Sequence, residues 1–115
     1  MLGREWLDGV RLDRANLQGT YLGQAQLNQA DLRGANLSGA KMGGTQLNVA
    51  KLDGANLSTS DLHYAGVRAA SLRKANLYRA GLKQTDFTGA DLTGADLREA
   101  NLDGTIFRGA SLRQA

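Results

Sequence analysis

The side chains that could do chemistry are few and scattered. His63 is the only histidine in the 115-residue chain, and the chain has no cysteine. Asp61 stands two residues before His63, but the pair has no second histidine and no thiolate with which to bind a metal. We therefore interpret Asp61 as an ordinary neighbour, and His63 predicts neither catalysis nor metal binding.

The remaining serines and aspartates occupy ordinary places in a repeat. Four serines have no base beside them that could activate a nucleophile: Ser38, Ser58, Ser71 and Ser111. Asp86, Asp91 and Asp96 are spaced five residues apart, which puts each on a different side of the coil predicted below. The sequence thus predicts a protein that is not an enzyme and takes no cofactor, metal or small-molecule substrate.

Basic and aromatic residues concentrate between residues 61 and 83. Residues 61–80 carry four cations against Asp61, a net charge of 4 − 1 = +3, which equals the net charge of the whole chain. The candidate interaction surface is His63, Tyr64, Arg68, Arg73, Lys74, Tyr78, Arg79 and Lys83. Such a mixture suits nucleic acid or another anionic surface. These positions also point around several sides of a coil, however, so an ordinary solvated surface remains the alternative.

A five-residue repeat organises the whole chain. All 23 positions whose numbers end in 2 or 7 are apolar, and all but Met42, Val67, Phe87 and Phe107 are leucine. Two residues earlier, 16 of 22 sites are alanine and the others are threonine, serine or Val10. A polar residue, most often Asn or Asp, stands between the two. The repeat is therefore A-(D/N)-L-x-x.

A period of five fits neither a helix nor a single strand. On an α-helix the leucines would spread around the cylinder, and in a continuous strand they would alternate between faces. The chain must instead turn once per repeat. Four five-residue sides then close a square coil of 20 residues, stacked about 4.8 Å above the coil before it. This predicts an all-β solenoid of about 5.5 coils with leucine and alanine inside.

The uninterrupted repeat resembles the pentapeptide-repeat family from residue 5 to residue 115. The resemblance implies a right-handed quadrilateral β-helix and a bacterial, cytoplasmic protein. We expect one domain over residues 1–115: an irregular N-terminal coil over 1–12, regular repeats over 13–115 and no C-terminal cap. Trp6 departs from the polar pattern, so it is predicted to fold over the first coil with Met1 and Val10 as a partial cap.

Within this fold the central columns form the structural core: Leu17, Leu37, Leu57, Leu77, Leu97, Phe87 and Phe107. Phe87 and Phe107 lie 20 residues apart and are predicted to pack as an offset aromatic pair. The asparagines beside the leucine column, Asn16, Asn36, Asn56 and Asn76, are predicted to hydrogen-bond from coil to coil.

The function that best fits these features is a structural or protein-interaction module with flat walls. We expect an open C-terminal edge at Phe107, Arg108, Leu112 and Arg113 to contact a protein partner or a second copy. The resemblance also suggests an alternative, a DNA mimic that binds DNA gyrase, but the net charge of +3 disfavours it. Weak binding of nucleic acid or an anionic surface through residues 61–83 is the second alternative.

Overall fold

The computed structural model describes residues 5–115, which form a short rod of stacked coils measuring 32 × 22 × 20 Å. The residue before each central apolar residue forms a parallel bridge with the residue 20 positions later, from Trp6 with Gln26 to Asp91 with Ser111. Between residues 5 and 115 there is no helix, and each bridged segment is one residue long. Consequently, no helix of the described chain could cross a membrane.

The bridges form four columns, and we call the surface along each column a wall. Wall A begins at residues 6, 26, 46, 66, 86 and 106, and walls B, C and D begin five, ten and fifteen residues later in each coil. A coil of 20 residues follows directly from the bridge pairs. Each wall is one five-residue repeat wide.

The chain turns after every central apolar residue. The N–H of Ala15 donates to the carbonyl oxygen of Leu12 at 3.0 Å, and the same bond recurs at every other described corner except the one at Val67 and Ala70. The residue before the small residue has a φ between 55° and 73° at every corner from Gly9 to Gln114. A positive φ at the third residue alone is typical of a type II turn. Glycine occupies ten of these sites and other residues twelve, so the stacking imposes the turn even where glycine is absent.

Backbone hydrogen bonds join each coil to both neighbours. Leu32 N–H donates to Lys51 O at 2.7 Å and Gly34 N–H to Asp53 O at 3.0 Å, both in the following coil. Asp31 N–H donates to Val10 O in the preceding coil at 2.8 Å. Because these bonds recur in the repeats between the first and last coils, most backbone groups of the interior coils are paired without long strands.

The prediction that the asparagines beside the leucine column hydrogen-bond from coil to coil is wrong, because their bonds lie within one repeat. Asn36 Oδ1 accepts the N–H of Ser38 at 3.1 Å, two residues along, and the equivalent asparagines do the same. This N–H has no backbone acceptor in the next coil, and the amide supplies one, as in an Asx turn. Bonding from coil to coil occurs on wall A instead, where Asn28 Oδ1 accepts the N–H of Asn48 at 2.9 Å.

The core is one continuous apolar column from Leu22 to Ala95. Of the predicted core residues, Leu37, Leu57, Leu77 and Phe87 are fully buried. Leu17, Leu97 and Phe107 are only partly buried, because the end coils have a neighbour on one side only. The rings of Phe87 and Phe107 are nearly parallel, at 5°, with centroids 5.6 Å apart, as expected for an offset pair.

The threonine and serine residues of the small inner column also donate hydrogen bonds. Thr45 Oγ1 donates to Leu22 O in the preceding coil at 2.7 Å, and Thr85 bonds to Leu62 O in the same way. Ser60 Oγ donates to Leu57 O within its own side at 2.6 Å. Buried hydroxyls are therefore paired, which removes the cost of placing them in the core.

The N-terminal coil differs from the prediction. Within residues 5–12 the regular pattern is already present: Leu7 N–H donates to Gln26 O and Gly9 N–H to Asn28 O. Trp6 is 81% exposed and does not cover the first coil, because the bridged position it occupies points outward. Met1 lies outside the described residues.

Candidate interaction surface

The structure spreads the predicted basic surface over all four walls. His63, Tyr64 and Lys83 lie on wall D, Arg68 on wall A, Arg73 and Lys74 on wall B, and Tyr78 and Arg79 on wall C. Residues that are neighbours in sequence therefore face different directions. The coil from 61 to 80 does not form one basic patch.

Three of these arginines face a carboxylate in the next coil. Arg68 lies 3.9 Å from Asp86, Arg73 lies 3.4 Å from Asp91 and Arg79 lies 3.1 Å from Glu99. All three guanidinium groups are more than half exposed, so each pair contributes little to stability. Their effect on the surface is larger, because the acids of the next coil offset the local positive charge.

A polar cluster surrounds Tyr78 on wall C. The Tyr78 hydroxyl donates to Glu99 Oε2 at 2.9 Å, and the guanidinium carbons of Arg79 and Arg98 lie 5.5 and 5.6 Å from the ring centroid. The hydrogen bonds from Tyr78 and then Arg79 lower the pKa of Glu99. Arg98 forms a two-bond pair with Asp96. The charged groups of this cluster are thus already paired with one another.

Wall D has a different surface, because glycines remove part of its side-chain layer. The Tyr21 ring lies over Gly23, where a Cβ would be 2.8 Å from the hydroxyl oxygen. The His63 ring lies over Gly43, where a Cβ would be 2.3 Å from Cε1. Any side chain at these two glycines would displace a ring. The two glycines therefore leave the space that the Tyr21 and His63 rings occupy.

Asp61 and His63 form a surface pair. His63 Nδ1 lies 2.6 Å from Asp61 Oδ1, which also accepts the His63 backbone N–H at 3.1 Å. Burial raises the pKa of Asp61, but the bonds from His63 outweigh it and hold the pKa below its usual value. The Tyr64 ring meets the His63 ring edge-on, with centroids 5.8 Å apart. Residues 5–115 contain no cluster of three metal-binding side chains, so this pair has no third ligand.

Two hollows meet at this pair. One, of about 380 Å³, extends from Tyr21 past Lys41 to His63, and the other, of about 430 Å³, extends from His63 past Lys83. Neither lysine lies within ion-pair distance of a carboxylate of the described chain. Tyr21 and Tyr64 are 48% and 55% exposed. Wall D therefore presents aromatic and cationic groups that lack partners of opposite charge.

Sequence reasoning found three of the five residues of this surface. It named His63, Tyr64 and Lys83, but not Lys41 or Tyr21, which lie one and two coils before His63. The signal was available in the glycines: Gly23 and Gly43 stand one position before the corner residue that takes the positive φ. Glycine at such a site indicates a close contact.

The final coil exposes apolar side chains. Leu102, Ile106 and Leu112 are 44%, 45% and 42% exposed. Of the predicted end-to-end residues, Phe107 is half-buried, while Arg108, Leu112 and Arg113 are exposed. In the interior of the rod a following coil covers the positions equivalent to Leu102 and Leu112, whereas Ile106 holds an outward-facing bridged position on wall A.

The family model for pentapeptide repeats matches residues 11–48, 43–77 and 75–114. The chain belongs to the pentapeptide-repeat family. Proteins of this family are in general non-enzymatic structural and interaction proteins. No curated protein sequence matches it.

Solved structures of pentapeptide-repeat proteins resemble the chain. HetL, involved in heterocyst differentiation regulation in the cyanobacterium Nostoc, is 31% identical with a TM-score of 0.68; the match covers 95% of this chain and 58% of HetL. A second Nostoc pentapeptide repeat protein is 35% identical with a TM-score of 0.72, covering 86% and 81%. A protein from the thylakoid lumen of Arabidopsis thaliana is 25% identical with a TM-score of 0.65, covering 97% and 71%. These neighbours are right-handed quadrilateral β-helices.

Proposed function

We propose that this pentapeptide-repeat chain is a non-catalytic interaction module, a right-handed, four-sided β-helix of about 5.5 coils that presents its walls to a protein partner. The observation that carries the proposal is wall D, where exposed tyrosines and uncompensated lysines line two adjoining hollows. The core supports it as well, because apolar columns fill the interior and the functional surface must lie outside.

The other walls are less suited to a partner: wall B also carries lysines without an ion pair in the described chain, Lys51 and Lys74, but it has no aromatic residue. On wall B, Arg33 is held by Asp31 at 2.7 Å, and on wall C, Arg98 is held by Asp96 at 2.8 Å. A partner would have to break such pairs before using them, which costs binding energy. Tyrosine is enriched among the residues that dominate binding at interfaces. Wall D offers two exposed tyrosines without that cost.

Photo-crosslinking from matched positions tests the choice of wall. Benzoylphenylalanine replaces Tyr21, Gln26, Arg11 or Asn16, which hold the same bridged position on walls D, A, B and C, and at Tyr21 it keeps an aromatic ring. We expect a covalent adduct with one protein partner from position 21 and little from the other three. Equal adducts from all four positions would contradict the choice of wall D, and no protein adduct from any wall would contradict the interaction module.

The final coil is the second contact in this proposal, with a second copy covering Phe107, Arg108, Leu112 and Arg113 end to end. Its support is the exposed apolar surface of Leu102, Ile106 and Leu112. Sedimentation over a range of concentrations tests it. We expect a concentration-dependent dimer that Leu112→Glu weakens, whereas a monomer at every concentration would reject this contact and leave wall D unaffected.

A further inference from the structure

Wall D also indicates the chemistry of its partner. Building on the function proposed above, we infer that the wall binds an extended acidic segment of a partner protein, with carboxylates on Lys41 and Lys83. The segment runs along the rod axis, across the pair formed by Asp61 and His63.

The first support is charge. The residues that line the two hollows include Lys41, Lys83 and a single carboxylate, that of Asp61. His63 contacts one oxygen of that carboxylate through its backbone N–H and its ring Nδ1. With a neutral histidine the lining has a net charge of 2 − 1 = +1, and its two cations, Lys41 and Lys83, have no ion-pair partner in the described chain. Their complement is a ligand that carries carboxylates.

The second support is spacing. Lys41 bridges to Asp61, and Asp61 bridges to Gly81, so Lys41 and Lys83 lie on coils two steps apart. Two steps correspond to roughly 10 Å along the rod. A polyproline II segment rises about 3.1 Å per residue and brings every third side chain to the same face. Acidic residues three apart would therefore meet the two lysines.

The third support is the shape of the floor. Gly81 has no side chain, and the nearest atom to a Cβ there would be Asp61 Oδ1 at 3.4 Å. An extended backbone can therefore approach the wall closely beside Lys83. The Tyr21 and Tyr64 rings flank the path, and aromatic-lined grooves of this kind receive polyproline II segments.

Single-stranded nucleic acid is the other ligand that combines negative charge with groups able to stack on aromatic rings. It places a phosphate at every nucleotide and is held by grooves with many cations. Wall D offers two uncompensated lysines. A short acidic peptide segment fits this number better.

A peptide titration tests the inference. The probe is a fluorescein-labelled peptide of about twelve residues with glutamate at every third position and proline and alanine between, followed by fluorescence anisotropy. We expect it to bind about tenfold more tightly than the same peptide with glutamine. The double substitution Lys41→Gln, Lys83→Gln should weaken binding about tenfold. Its matched control, Lys51→Gln with Lys74→Gln on wall B, removes the same charge and should change binding less than about twofold.

Three results would overturn the inference: equal binding of the glutamate and glutamine peptides, equal loss in the wall B control, or tighter binding of an oligothymidylate than of the peptide. These failures are separable from failure of the interaction module. A crosslink from position 21 to a protein, together with a failed peptide titration, rejects only the acidic chemistry. Absence of crosslinks from all four walls rejects the module as well.

Discussion

Val49 illustrates the conformational strain that a corner of this fold imposes on a residue other than glycine. It is β-branched, has a φ of 61° and is 53% exposed, so burial offsets little of the strain. A left-handed conformation costs a non-glycine residue about 1–2 kcal/mol. Glycine accepts it, at an entropic cost of about 0.5–1 kcal/mol.

We therefore expect Val49→Gly to raise the free energy of unfolding by about 0.5–1 kcal/mol, measured by urea denaturation. The reverse change, Gly54→Val, is its control. Gly54 has a φ of +68° and a Cβ there would meet no atom within 4 Å, so no steric clash adds to the backbone effects. By the same difference between strain and glycine entropy, that change should lower the free energy of unfolding by about 0.5–1 kcal/mol. A Val49→Gly protein less stable than Gly54→Val would contradict this account.

Asp31 makes the stability of the fold depend on pH in the acid range. Its two oxygens accept three hydrogen bonds from Arg33, and the side-chain bonds from Arg33 are the main cause that lowers its pKa from 3.8 to about 2. A carboxyl with a depressed pKa in the folded state stabilises above its unfolded pKa, and that stability is lost as the pH falls through the folded value.

The wild-type protein should therefore lose more stability than Asp31→Asn between pH 4 and pH 2, a range that follows from the two pKa values. Thermal unfolding across this range measures the difference. Asparagine keeps the bond to the Arg33 N–H, as Asn36 does for Ser38, so the turn itself should survive. Asp96 also has a pKa of about 2 and contributes to both proteins alike. Parallel pH profiles would show that the Asp31 pair does not contribute.

At the scale of the element, the burial of a repeat depends on where its coil lies in the stack. Leu57 is fully buried in mid-rod, while Leu112 in the last coil is 42% exposed although it has the same repeat position. Stacking on both sides, and not the local sequence, makes the difference. Truncating a central leucine should therefore destabilise the protein more in an interior coil than in an end coil.

We expect Leu57→Ala to reduce the free energy of unfolding by about 2–5 kcal/mol, because it leaves a cavity between two coils. Leu112→Ala should cost less than about 1 kcal/mol. Chemical denaturation of the two proteins measures both. Similar losses at the two positions would indicate that the last coil is covered in solution, which agrees with an end-to-end contact.

At the scale of the whole molecule, the charge has no dominant sign that would make the rod a DNA mimic. The net charge is +3, and the acidic groups of the later coils face arginines, as Asp86 faces Arg68 and Asp91 faces Arg73. Imitation of duplex DNA requires a continuous negative surface. The described walls lack one.

We accordingly expect the protein to leave DNA supercoiling by gyrase unchanged, with or without a quinolone. A supercoiling assay over increasing protein concentration measures this. Without a continuous negative surface we expect no effect even at high concentration, and inhibition or protection would restore the DNA-mimic alternative.

The sequence by itself determined the period and the inward columns. These could be predicted because the repeat position decides which side chains point into the coil. Only the tertiary structure decided the surface: that Arg68 meets Asp86, that Asn36 bonds within its own repeat, and that His63 lies over Gly43. Surface neighbours depend on where each side chain leaves its corner and on what the coils above and below carry. The periodic pattern does not contain that information.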